Sequence, residues 1–431
     1  MLKNILDKHQ LKFIYSKPFQ SLVVNGLKAV TMFALIKLLA VYGGPASLAS
    51  FANFQNLIGF MLVLTTLSLQ TGLTVATAKN TSSLDPLIIC INILFLSTPF
   101  ILLVVYTFIE SLILANDILS PDNYFLFLMI LILPFSANSL MVANEIGRQR
   151  YSNILINYVL VGIFPFITFF LLNNASLEKI IAGLCIGNWI GAIFLIWRIR
   201  VTPALFFSFK GNKKLIVSML RYGAMSALNG ILVAITAFSI RQYLSEDISL
   251  EVAGHWEALF KIGVLFQFAI AAPLISTGLP LMVTALKISL KDIISLLIGR
   301  IKTIFVITIF LIFISFLIAD WIVLILFSEE FMPISKLIPL IIFSESLKAF
   351  GGIFILVPLA NQQLSIVAIT HMVFTLCILL GLYFLSNLSM ISLSNITWLY
   401  LVASLCHAIF IFFWILAWYK KHPDNNLDIM A

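Results

Sequence analysis

The chain has 431 residues, 61% of them hydrophobic and 10% charged, with a mean hydropathy of +1.09 and a formal net charge of +8. Such a composition excludes a water-soluble globular domain and fits an integral membrane protein. Most apolar runs last about 18–25 residues, the length a helix needs to cross roughly 30 Å of hydrocarbon, and period-two alternation is absent, which argues against a β-barrel.

In chain order, the basic and mixed stretch MLKNILDKHQLKFIYSKP (1–18) precedes an apolar run with no small-residue cleavage pattern and reads as a cytoplasmic tail. Twelve transmembrane helices are then expected, near 19–41, 47–70, 86–108, 123–145, 154–172, 179–198, 218–242, 254–284, 298–318, 335–358, 364–385 and 395–417. The connections are too short to fold as separate domains. With the first residues inside, Lys79, Arg148, Arg150, Arg198, Lys287 and Arg300 fall at the cytoplasmic face, whereas Glu110, Asp117, Glu246, Asp247, Glu329 and Glu330 fall outside. This bias predicts both termini in the cytoplasm and an even number of spans. The net positive charge is thus mostly a topology signal, and no nucleic-acid motif accompanies it. The four cysteines, Cys90, Cys185, Cys377 and Cys406, sit in apolar spans without metal or redox spacing and are expected to be free core thiols.

TGLTVATAK (71–79) after the second span returns as TGLPLMVTALK (277–287) after the eighth, and RQRYSNILINY (148–158) has a weaker echo in NQQLSIVAITH (361–371). Both offsets are roughly half the chain, the signature of a duplication, although apolar sequence of low complexity also produces chance matches. An even number of spans per half gives two parallel repeats with a cleft between them. The expected organisation is therefore an all-α polytopic membrane protein, with six-helix bundles at 1–205 and 206–431 arranged pseudo-symmetrically around a central cavity.

Charged residues inside spans are the candidates for function, because each costs about 2.5–3.5 kcal/mol at a helix centre on insertion scales. Glu257 and Lys261 are spaced i, i+4, and Glu345 and Lys348 i, i+3. Each pair either neutralises itself or forms part of a hydrated polar wall. Lys28 and Lys37 have no acidic neighbour at helical spacing. They lie about 180° apart on a straight helix, so either they snorkel or only one faces a cleft. Polar stripes add Asn53 and Asn56 on the second span, Asn138, Glu145 and Arg148 on the fourth, and Gln149, Asn153 and Asn157 on the fifth, suited to hydrogen bonds between helices or to lining a cavity. His255, His371 and His407 fit structural roles, with proton coupling as the alternative. Pro45, Pro99, Pro134, Pro165, Pro273, Pro280 and Pro358 permit kinks. No nucleophile elbow, phosphate loop, zinc spacing or nucleotide fingerprint occurs, so no catalytic residue, metal or cofactor is expected.

The run LKAVTMFALIKLLAVYGGPASLASFANFQNLIG (27–59), together with AGHWEALFKI (253–262), LPLM (279–282) and ESLKAFGGIF (345–354), resembles the Wzx-type flippases, especially their enterobacterial common antigen (lipid III) branch. These belong to the superfamily that also holds the MATE exporters. The resemblance implies translocation of an undecaprenyl-diphosphate-linked oligosaccharide, an O-antigen repeat unit or the common antigen unit, from the cytoplasmic to the periplasmic leaflet of a bacterial inner membrane. It also implies a cationic cavity, coupling to protons or sodium, and polysaccharide polymerase and chain-length proteins as partners beside the membrane lipids. Lys28, Lys37 and Lys348 match basic positions of the family pattern.

A diphosphate carries about two negative charges, and bare transfer of such charges into hydrocarbon would cost tens of kcal/mol. Lys28, Lys37, Lys261 and Lys348, with Asn53 and Asn56, are therefore expected to contact substrate, and Glu257, Glu345 or Glu145 to couple ions. The rival reading is a MATE-like, cation-coupled exporter of small molecules, whose cavity should be acidic.

Overall fold

The computed structural model describes residues 17–79, 83–113, 124–171, 177–200, 213–267, 281–282, 290–360 and 363–421. All regular structure among them is helical: α1 (Lys17–Thr66), α2 (Leu69–Lys79), α3 (Asp85–Ile113), α4 (Tyr124–Gly147), α5 (Tyr151–Leu171), α6 (Leu177–Ile199), α7 (Lys213–Asp247), α8 (Leu250–Phe266), α9 (Leu290–Leu326), a 3₁₀ segment (Glu329–Leu337), α10 (Ile338–Ala360), α11 (Leu364–Asn387) and α12 (Leu393–Lys421). Eight helices among the described residues are long and apolar enough to cross a membrane. The all-α polytopic class expected from composition is the class observed. The end of the eighth expected span, Pro273, the 277–287 repeat motif apart from its Leu281–Met282 pair, and most of the tail 1–18 lie outside the described residues.

The first two expected spans are the two helical segments of α1, which meet at a kink where Gly44 leaves helical geometry with φ 64° and ψ −169°. Only glycine takes this conformation without a Cβ penalty, and Pro45 beside it removes a helical donor. The second span is interrupted, where the hydropathy predicts continuity to residue 70. Leu67 and Ser68 both have positive φ, 48° and 50°. For side-chain-bearing residues this costs roughly 1–2 kcal/mol each. The break persists because its backbone finds other partners, Ser68 N bonding Val63 O at 3.2 Å and Ser97 Oγ donating to Thr65 O at 2.8 Å. Threonine hydroxyls also fold back on the helix, Thr65 onto Met61 O at 2.8 Å and Thr66 onto Leu62 O. Helix α9 begins before the expected 298–318 and consists of two helical segments, the first ending where the span was expected to end. It is kinked at Ile318 and exposes Phe310, Phe313, Phe316, Leu317 and Trp321, a face that hydrocarbon solvates without cost.

Two compact units emerge, one comprising Met1–Leu35 and Leu57–Ile231, the other Ile36–Asn56 and Leu232–Ala431. The core of the first unit gathers Leu69, Leu73, Leu87, Ile91, Leu140, Met141, Ile154 and Leu195 from α2 to α6. Its closest helix pair is α5 with α6. There Gly183, Gly187 and Gly191 recur every four residues along α6, and an added Cβ would stand 2.6 Å from Pro165 Cα, 2.6 Å from Val161 O and 2.7 Å from Asn157 Nδ2 in turn. Small residues at this spacing let backbones approach where no hydrophobic effect drives helices together.

In the second unit, α10 packs against α12, α9 and α8. The segment of α1 that follows the bend meets α8 so closely that a Cβ on Gly254 would lie 1.9 Å from Pro45 O. Gly254→Val will therefore force the two helices apart and destabilise the protein by about 1–3 kcal/mol, seen as a lowered melting temperature in detergent. Gly59→Ala, which meets open space inside a helix, will not lower that temperature and should raise it slightly.

Candidate functional site

The expected polar residues gather into three groups. Within the second unit, α7, α8 and the outgoing half of α1 bring together Arg241, Glu257, Lys261, Asn53 and Gln55. Arg241 Nη1 donates to Glu257 Oε2 at 2.7 Å, and Lys261 Nζ lies 3.0 Å from Glu257 Oε1. The outer atoms of the two cations turn to amide oxygens, Arg241 Nε to Asn53 Oδ1 at 2.9 Å and Lys261 Nζ to Gln55 Oε1 at 3.0 Å. The three charged side chains are only 2%, 2% and 8% exposed. One carboxylate thus serves two cations, and a positive charge is left over in the interior. Arg241 Nη2 and Asn56 Nδ2 are buried with no hydrogen-bond partner among the described residues. Buried donors without acceptors are costly, so an acceptor or anion at this cluster would stabilise it.

The second group is built on α10. Glu345, 2% exposed, accepts from Tyr400 Oη at 2.5 Å and from Lys348 Nζ at 3.0 Å, both on Oε1, while Gln267 Nε2 donates to Oε2 at 2.7 Å. Lys348 Nζ also donates to Tyr400 Oη at 2.7 Å and stands over the rings of Phe374 and Tyr400, 5.3 and 5.1 Å from their centroids. Gly263 of α8 permits this packing, for a Cβ there would meet Glu345 Cγ at 2.8 Å. Behind Phe374 lie His371 and His407, their ring centroids 5.7 Å apart.

The third group is in the first unit. Glu145, fully buried at the end of α4, accepts from Asn144 Nδ2 at 3.2 Å and from Asn153 Nδ2, and so ties α4 to the start of α5. One level deeper, Asn157 Nδ2 donates to Asn138 Oδ1 at 2.8 Å and Asn138 Nδ2 to Asn188 Oδ1 at 3.0 Å. The stripes on the fourth and fifth spans therefore bond helix to helix.

Lys28 is exposed and sits 5.7 Å from the centroid of the Tyr158 ring. Lys37 donates to Leu324 O at 2.7 Å and to Phe327 O, capping the carbonyl end of α9, where a cation also meets the negative pole of the helix dipole. The i, i+4 and i, i+3 pairs form as the spacing implies. Neither is self-contained, because Arg241 enters one and Tyr400 with Gln267 the other. Helical spacing within one span carries no sign of partners from distant helices, and Arg241 falls, in the hydropathy, at an outer helix end where a solvated charge is expected.

No protein-family model and no curated protein matches the chain. Solved structures do. A multidrug resistance MATE family transporter of the MOP superfamily, in its inward-facing conformation, aligns with a TM-score of 0.75 at 14% identity, over 94% of this chain and 96% of that one. A MOP superfamily transporter from Pyrococcus furiosus, described by the reverse polarity of its binding pocket, aligns at 0.67 and 15% identity over 94% and 95%. A MATE transporter of Vibrio cholerae aligns at 0.64 and 16% identity over 95% and 96%. The chain shares the backbone fold of these structures. At these identities the likeness reaches the path of the backbone and not the side chains. Arg241, Gln55, Gln267 and Tyr400 in the second unit, and Asn144 and Asn188 in the first, are among the interior polar residues that sequence reasoning did not single out.

Proposed function

We propose that the protein is a membrane transporter that flips an undecaprenyl-diphosphate-linked oligosaccharide, an O-antigen repeat unit or a common antigen unit, from the cytoplasmic to the periplasmic leaflet of a bacterial inner membrane. Alternating access of two six-helix halves, 1–205 and 206–431, coupled to protons or sodium, would carry the head group while the lipid tail stays in the bilayer. The observation that carries this reading is the excess of cation over carboxylate at Arg241, Glu257 and Lys261. Buried cations with amide neighbours can replace the hydration that a diphosphate loses on leaving water, and the same arrangement repels a cationic drug. Lys348, 27% exposed, adds a second ammonium within reach of solvent or ligand. Asn53 belongs to the first of these clusters, and Asn56, Lys28 and Lys37 are further contacts in this proposal. Glu257, Glu345 and Glu145 are its candidate coupling groups. Association with a polymerase and chain-length proteins, and cytoplasmic termini, are part of the same reading.

The test is display of O-antigen or common antigen in a flippase-null strain. The wild-type chain should restore it, and the chain with Lys28, Lys37, Lys261 and Lys348 all changed to Ala should fail while still reaching the membrane. Full display by that variant would end the proposal. A second reading, a MATE-like cation-coupled exporter, is favoured by what the similar structures are called. It predicts efflux of fluorescent organic cations by the wild-type chain, which the flippase reading does not.

A further inference from the structure

In the first unit, the ends of α4 and α6 and the start of α5 gather three guanidinium groups around one carboxylate. Arg148, Gln149 and Arg150 form the tight connection from α4 to α5, where Gln149 adopts φ 55° and Arg150 N returns to Glu145 O at 2.9 Å. Arg148 Nη2 donates to Ser83 O at 2.8 Å, and Arg198 Nε to Asn153 Oδ1 at 3.3 Å. Asn153 in turn donates to Glu145, so Arg198 is linked to that carboxylate through an amide. Arg150 stands 4.0 Å from Glu145 Oε1, while Glu145 is sealed in and bonded to two amides. One buried carboxylate therefore serves three cations, and the balance is positive. Burial, followed by repulsion from Arg150, holds the Arg148 guanidinium below its usual pKa, and its Nε is buried with no hydrogen-bond partner among the described residues. An acceptor carrying negative charge would relieve both conditions.

The surroundings put this charge at the level of lipid head groups. Trp197, beside Arg198, is 70% exposed, and Tyr151 opens α5; such aromatic residues collect where hydrocarbon meets water. Along α6, Trp197, Ile193, Trp189 and Ile186 follow one another at helical spacing, and all four are exposed. They form an apolar ribbon that runs from the guanidinium groups into the span for about 16 Å, at 1.5 Å per residue. A phosphate at the cluster and an acyl chain along the ribbon describe a phospholipid, and the surplus charge selects an anionic one.

From this geometry we infer that the shared end of α4, α5 and α6 is a binding site for an anionic phospholipid of the phosphatidylglycerol type. The exposed Arg150 and Arg198 donate to its phosphate, and Arg148, pinned to Ser83, holds the connection in place behind them. The bound phosphate draws the start of α3 and the ends of α4, α5 and α6 together, so occupancy stabilises the first unit. The site uses none of Arg241, Lys261 and Lys348, so it is independent of what the transporter carries. A lipid-linked diphosphate offers the same oxygen chemistry, but the ribbon opens toward the bulk bilayer, where phospholipids far outnumber a carried lipid and mass action favours them. A zwitterionic phospholipid brings no net charge to offset the surplus.

The experiment titrates phosphatidylglycerol or phosphatidylcholine into the purified full chain in detergent, with native mass spectrometry counting retained lipids and the melting temperature followed in parallel. Wild-type protein should retain phosphatidylglycerol at about tenfold lower concentration than phosphatidylcholine, and its melting temperature should rise with the first lipid alone. Arg150→Gln with Arg198→Gln leaves the bond from Arg148 to Ser83 intact, and its preference should shrink to about twofold or less. Arg150→Lys with Arg198→Lys should keep part of the preference, since ammonium groups supply the charge without the planar fork. Arg300→Gln with Lys302→Gln, the same loss of charge on α9, should keep all of it. A measurement that needs no variant is the wild-type preference at roughly 0.1 and 0.5 M salt, which should fall severalfold because Arg150 and Arg198 are exposed. Equal retention of the two lipids, an undiminished preference in the Gln pair, or a preference indifferent to salt would overturn the site. Displacement of phosphatidylglycerol by an equal concentration of undecaprenyl phosphate would overturn it too, by assigning the cluster to a carried lipid.

Discussion

Glu257→Ala is expected to cost about 3–5 kcal/mol of stability, the largest loss from a single side chain outside the apolar core. The reason is the one-to-two ratio at this cluster. Among the described residues Glu257 is the one carboxylate that pairs with Arg241 and Lys261, and all three side chains are almost fully enclosed. Removing it leaves two cations with Asn53 and Gln55 as their acceptors among the described residues. The measurement is the melting temperature of purified protein in detergent, which should fall by many degrees, or the yield of monodisperse protein, which should collapse. Replacing all three residues by apolar ones of similar size, Arg241→Met, Glu257→Leu and Lys261→Met, should restore most of the stability, because no charge is then left unpaired. Such a protein should fold and not transport. Equal melting temperatures for wild type and Glu257→Ala would show that the cluster is hydrated and that its charge excess carries no meaning.

Lys261→Met should have the opposite profile, a small loss of stability and a large loss of function. After the change Arg241 and Glu257 remain as a neutral, bonded pair 2.7 Å apart, and Gln55 loses one donor, so the cost to folding is about 1 kcal/mol. The cluster also loses its surplus positive charge. If that charge accounts for some 3 kcal/mol of head-group stabilisation, typical of a charged hydrogen bond in a dry site, antigen display should fall by about 100-fold. Arg241→Met alone will behave in between, because it removes the surplus charge and also strands Asn53. Undiminished display by folded Lys261→Met would assign Lys261 to holding Glu257 in place and nothing more.

The membrane class and the position of almost every helix are legible in the sequence because hydrocarbon imposes one constraint on length and one on composition. The departures from the hydropathy have identifiable causes. The break at Leu67–Ser68 has no glycine or proline to announce it, and it persists through side-chain and backbone partners from other turns and helices. Helix α9 starts before the expected span because its first turns are polar, and it carries a second helical segment beyond Ile318, where the span was expected to end. The α5–α6 contact, by contrast, was written in the chain as glycines at 183, 187 and 191, a pattern open to reading without any structure. In the candidate site, the spacing of Glu257 with Lys261 and of Glu345 with Lys348 foretold each pair. Arg241 and Tyr400 lie 16 and 55 residues away from the carboxylates they bond, and a helical repeat carries no information over that distance. Lys37 illustrates the converse, because an ammonium inside an apolar run has more than one use, and here its hydrogen atoms point at the free carbonyls that end α9.

The most direct measurement reconstitutes the purified chain in liposomes, loads one leaflet with an undecaprenyl-diphosphate-linked oligosaccharide, and follows its arrival in the other leaflet with a sugar-specific probe. Wild-type protein should move the lipid. Lys261→Met with Lys348→Met should not, and the matching pair Lys261→Arg with Lys348→Arg should recover part of the rate, because the interior charge is restored with different geometry. Translocation at the wild-type rate by the folded double Met variant would contradict the account, since the head group would then be crossing without the two ammonium groups proposed to replace its water.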